Sequence, residues 1–158
     1  MLNRLAMTFM AATFALTGAA GAVEVKRKIE INGEIKKVWA EIGGWCAIGS
    51  WHPAIAKCEE TTEGGKKKRT LTTKDGGVIK ETMTKSTDTS YSYQIDESPL
   101  PVEKYTATFA VTPDKDDKEE VNIAWSAKFD AKGKYADAKK VIDGILKSGL
   151  DALKNKLD

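Results

Sequence analysis

The sequence predicts an α+β domain, a curved antiparallel sheet of about seven strands gripped by a long C-terminal helix. Three observations predict it. Between Ala54 and Phe129, short runs of two-residue alternation are broken by turn residues at regular spacing, the pattern of an antiparallel meander. From Tyr135 to Leu157 the apolar period becomes helical. No other element is large enough to cover the apolar face of such a sheet, so sheet and helix must form a grip with core or cavity between them.

The elements follow in order. Val23, Val25, Ile29 and Ile31 share one parity with charges between them, which describes a strand with one wet face. Asn32-Gly33 breaks it. Ile35, Val38, Trp39 and Ile42 then fall at helical spacing, and Gly43-Gly44 is a stop signal. From Trp45 to Ala54, Gly49 and Pro53 leave room only for a short helix or turn. Strands are predicted over residues 54–61, 67–74, 78–86, 90–97, 104–112 and 121–129. Glu63-Gly64-Gly65, Asp75-Gly76-Gly77, Asp88, the proline-bounded loop Ser98–Pro101 and the charged run 114–120 separate them. In the last helix Ala138, Val141, Ile142, Ile145, Leu146, Leu150, Leu153 and Leu157 form one stripe. Gly149 lies within that stripe, where glycine costs about 1 kcal/mol against alanine. It either permits close packing or leaves room for something.

The start of the chain has a different character. Met1-Leu2-Asn3-Arg4 carries one positive charge, Leu5 to Thr17 is uncharged and mostly apolar, and Ala20-Gly21-Ala22 has the small-x-small pattern of a cleavage site. This is the form of a secretory signal peptide. The apolar run is shorter than the ~20 residues of a comfortable membrane span; an uncleaved anchor is the alternative. The expected division is a signal peptide over residues 1–22 and a single domain over 23–158. The expected location is periplasmic, with no stable membrane insertion after cleavage. The formal net charge is +2 and Arg4 would leave with the signal, so the mature chain is near neutral with both signs interspersed. That excludes nucleic acid as the main partner, which usually requires a strong basic bias.

Export changes the meaning of the two cysteines. In an oxidising compartment Cys46 and Cys58 read as a disulfide rather than a reactive pair, contributing roughly 2–3 kcal/mol through the loop it closes. A metal site using Cys46, His52 and Cys58 is the alternative, but the spacing is not C-x-x-C and no fourth ligand is nearby. No cofactor is expected. Gly64-Gly65 and Gly76-Gly77 sit in turns between strands, not in a phosphate-cradling loop, and there is no heme-attachment C-x-x-C-H.

The order of elements, with SWHPAI, VIKE, YSYQIDESPLPVEKY and VNIAWSAKF in sequence, resembles the polyketide cyclase/dehydrase branch of the START-like (SRPBCC) superfamily. The resemblance covers essentially all of 23–158 and implies a helix-grip fold with a deep cavity under the C-terminal helix. WCAIGSWHPAIAKC, residues 45–58, further resembles the MxaD-like periplasmic proteins of methylotrophic bacteria. That likeness implies an accessory role in methanol oxidation, at the contact between methanol dehydrogenase and its cytochrome c acceptor. The fold implies no chemistry by itself, because it serves carriers, receptors, cyclases and scaffolds alike.

The candidate cavity residues are Trp51, His52, Glu81, Tyr93, Trp125 and Gly149. His52 is the only histidine and the only obvious acid/base near neutral pH; it acts on a ligand, or is hydrogen-bonded in a turn set by Pro53. Glu81 shares parity with Ile79 and Met83. It is then a cavity carboxylate needing a partner such as Arg69 or His52, or a glutamate turned to water by a bulge. Tyr91, Tyr93, Tyr105, Phe109, Trp125 and Trp51 either line an apolar pocket or form plain core. Lys66–Arg69 is a docking patch or a solvated strand start. The leading expectation is a non-catalytic periplasmic protein that binds an apolar small molecule or supports a redox partner complex. The alternatives are a cyclase- or dehydrase-like enzyme using His52 and Glu81, and a lipid or quinone carrier.

Overall fold

A computed structural model describes residues 21–158; most of the expected signal peptide lies outside the described residues. The elements are β1 (Val23–Asn32), α1 (Ile35–Ile42), α2 (Ile48–Trp51), β2 (Ile55–Glu63), β3 (Lys66–Thr73), β4 (Val78–Thr87), β5 (Ser90–Glu97), β6 (Val102–Pro113), β7 (Glu120–Ala131) and α3 (Tyr135–Leu157). The seven strands form one antiparallel sheet in the order β1-β7-β6-β5-β4-β3-β2. The first two strands therefore lie at opposite edges, and α1 and α2 carry the chain from one to the other. The expected α+β grip is the observed fold.

Local chemistry accounts for most of it. The β2–β3 hairpin turns on Gly64 and Gly65 at φ +57° and +75°, the two positive φ values that a tight primed turn requires. On β7 the alternating set Val121, Ile123, Trp125, Ala127 and Phe129 is buried, and it meets α3 through Ala138, Ile142, Leu146, Leu150 and Leu153, all buried. The Arg27 guanidinium on β1 grips Asp143 on α3 through Nε and Nη2, at 2.7 and 2.5 Å. This pins the helix to the edge strand.

Three details depart from the sequence expectation. Val141 is 40% exposed: it lies off the buried stripe, on the shoulder of the helix. β6 begins at Val102 rather than Lys104, because a bulge between Glu103 and Thr106, with Lys104 at φ +49°, lets Val102 and Tyr105 both face inward. β4 and β5 also slip twice against each other. The residue added at the first slip is Asp96 on β5, so Glu81 keeps its inward direction; the second adds Thr84 on β4.

Candidate functional site

The stretch from Trp45 to Cys58 closes one end of the grip. A disulfide joins Cys46 to Cys58 with Cα atoms 5.5 Å apart. It ties the turn before α2 to β2, and Gly49 packs against the Cys58 side. Both sulfurs are consumed, which answers the metal alternative for this pair. Trp51 turns inward, but not to a cavity. Its ring stacks on Phe109 at 5.4 Å and 17°, within an aromatic cluster that includes Trp39, Trp45 and Tyr91.

His52 is buried, and both its nitrogens are engaged. The Ala54 backbone N–H donates to Nδ1 at 3.1 Å, so Nδ1 must accept. Nε2 therefore carries the proton and donates to the Ile145 carbonyl of α3 at 3.1 Å. Burial lowers the pKa of the ring, against the opposing effect of the Ile145 bond. Neutral His52 thus ties the turn after α2 to α3, with no lone pair or proton left for a substrate. Gly149 explains how the ring gets so close. A Cβ at 149 would lie 2.7 Å from His52 Cδ2 and 2.9 Å from Trp125. Of the two readings of Gly149, close packing is the one observed; it does not border an open space.

Glu81 faces Arg69 directly across the β3–β4 ladder. Both are buried, and Arg69 Nε donates to Glu81 Oε2 at 2.5 Å. Arg69 also donates to the Trp45 carbonyl, and its guanidinium lies 3.8 Å from the centre of the Trp45 ring. Burial is the largest influence on both groups. It raises the Glu81 carboxyl pKa against the pull of Arg69. On Arg69 burial acts downward, but Glu81 and the neighbouring Tyr91 and Tyr93 outweigh it, and the guanidinium stays charged. Trp45 is a contributor that the sequence did not single out. Its carbonyl could not have been found from side-chain type.

Between β2–β5 and α3 lies a cavity of about 400 Å³. Its walls are mostly aliphatic, with Ile48, Ile55, Leu71, Ile79, Ile95 and Ile142 prominent. Its exposed rim is Pro53, Ala54, Lys74 and Asp75. Of the six sequence candidates, His52, Glu81, Tyr93 and Trp125 border this space, as does Tyr105; Trp51 and Gly149 are in the packed region beside it. Trp125 Nε1 donates to Tyr93 Oη at 3.0 Å. Burial pushes the Tyr93 phenol pKa well above its usual range, so it stays a neutral hydroxyl. Thr73–Asp75 and Leu100 were missed as wall residues, because a rim assembled from loops carries no periodic signal.

Residues 22–158 match the family described as polyketide cyclase / dehydrase and lipid transport. The structure is similar to that of XoxI from Bacillus cereus, at 30% identity and TM-score 0.78, covering 85% of this chain and 94% of that one. It shares its fold with the Zhui aromatase/cyclase from Streptomyces sp. R1128 (13% identity, TM-score 0.67, covering 87% and 94%). A START superfamily protein from Mycobacterium smegmatis is likewise similar (14%, 0.71, 87% and 97%). No curated protein sequence matches the chain.

Proposed function

The chain belongs to the polyketide cyclase / dehydrase and lipid transport family, and from that premise we propose that it is a non-catalytic binding protein for an apolar small molecule. The observation that carries this reading is the cavity of about 400 Å³. It is aliphatic-walled and within the size range of small-molecule sites. The cyclase-like alternative loses His52 as an acid/base, since both nitrogens of the ring are held by backbone groups. Native mass spectrometry of the protein purified from its own host tests the reading. A bound apolar molecule that leaves on mild denaturation is expected, and a consistently empty protein counts against it.

The place of action belongs to the same proposal. The charged start, the apolar run from Leu5 to Thr17 and Ala20-Gly21-Ala22 support export, and a disulfide is a bond of oxidising compartments. The finer role is support of the contact between methanol dehydrogenase and its cytochrome c in the periplasm. It rests on the likeness of residues 45–58 to the MxaD-like proteins. Electron transfer between those two proteins, measured with and without this chain, decides it; an unchanged rate removes the accessory role and leaves the binding reading standing.

A further inference from the structure

The cavity wall is mostly apolar, and the one buried carboxylate among its lining residues is only half used. Glu81 is 4% exposed and borders the cavity. Its Oε2 takes the Arg69 Nε–H, while Oε1 has no hydrogen-bond partner among the described residues. Oε1 is also absent from the polar atoms sealed away without a partner, which include Arg69 Nη2 and the Trp45 and Trp51 indole nitrogens. An unpaired carboxylate oxygen in a low-dielectric space is costly unless something donates to it. Nearby, Tyr93 Oη accepts from Trp125. The rim cannot play the same part. Asp75 is exposed, so water serves its free oxygen, and its Oδ1 already takes the Thr73 hydroxyl and the Gly77 N–H of its own turn.

We infer that the cavity selects a neutral apolar molecule bearing a hydroxyl at one end, with that hydroxyl donating to Glu81 Oε1 and the apolar body lying against the aliphatic wall. This deepens the binding reading above and rests on it. The same geometry excludes apolar anions. A carboxylate or sulfonate brought to this end would face a second carboxylate with only one guanidinium between them, and like charges in such a space repel strongly. A two-chain lipid is also excluded, since the space stands at the small end of ligand cavities.

Three probes of one shape test it on the intact protein: naphthalene, 2-naphthol and 2-naphthoate, each measured by displacement of a cavity-bound fluorophore and by direct titration. 2-Naphthol is expected to bind about tenfold or more tighter than naphthalene, the yield of a hydrogen bond to a charged acceptor. 2-Naphthoate is expected to bind more weakly than naphthalene. Equal affinity for naphthalene and 2-naphthol overturns the inference while the binding reading survives. Failure of all three to bind overturns both. Glu81→Gln sharpens the result: Arg69 keeps the amide oxygen and the amide N–H turns to the cavity. The 2-naphthol advantage is then lost and 2-acetylnaphthalene, an acceptor, gains. Should that variant not fold, the wild-type ratio decides alone.

Discussion

Two regions share the inner face of one sheet and differ in what fills them. Under α1 and α2 the face is aromatic: Trp39, Trp45, Trp51, Tyr91 and Phe109 stack, tilt or meet edge to face at 5.1–6.2 Å, and the rings pack against one another there. Toward β2–β4 the face is aliphatic, with Leu71, Ile79 and Ile95 opposite Ile142, and a cavity of about 400 Å³ is left. Flat rings fill a concave face, because each brings a large area and can tilt to fit its neighbour. Branched aliphatic side chains are shorter and cannot reach across the same gap. The Arg69–Glu81 pair lies on the boundary, with its guanidinium on the aromatic side against Trp45 and its carboxylate on the cavity side. One ion pair thus belongs to the core at one end and to the binding space at the other.

That division can be broken first where it costs most. Removing one partner of the buried pair, as in Arg69→Met, leaves Glu81 uncompensated and is expected to cost about 3–5 kcal/mol in urea unfolding. The double variant Arg69→Met/Glu81→Leu recovers much of that loss; if it does not, the pair is more than a boundary device. Next, Phe109→Ala in the aromatic region should cost about 3–5 kcal/mol. Ile79→Phe in the cavity region should cost well under that while abolishing apolar-probe binding. Similar penalties for the two would show that both regions are equally packed.

Smaller effects separate the two glycines of α3. Gly149→Ala drives a methyl into His52 and Trp125 and is expected to destabilise by about 1–3 kcal/mol, as overpacking does. Gly144→Ala meets nothing within 4 Å and should stabilise by up to about 1 kcal/mol through helix propensity alone. Thermal unfolding of the pair gives opposite signs. The smallest effect is a slope. Burial lowers the His52 pKa below its ordinary 6.5, so the unfolded chain binds the proton first. The stability that neutral His52 contributes is full above 6.5 and is lost as pH falls below it. His52→Gln should flatten stability against pH in that window, and an unchanged slope removes His52 from the account.

Much of the grip could be read from residue order. The meander, the closing helix, the inward parity of Glu81 and its candidate partner Arg69 all follow from alternation and spacing. Trp51 and Gly149 were sought at the cavity and stand beside it. An indole or a bare backbone position has the same sequence signature in a wall as in a core. The chemistry of His52 is open for a similar reason: nothing local reveals that a carbonyl 93 residues away accepts its N–H.

Which residues face inward and which elements exist is written in residue order alone, since side-chain direction follows from backbone period within a few residues. Where the interior is solid and where it is hollow, which tautomer His52 holds, and which oxygen of Glu81 is left unpaired are settled by the assembled fold. Those outcomes depend on distances between elements far apart in the chain, and a difference of about an ångström there turns a cavity wall into packed core.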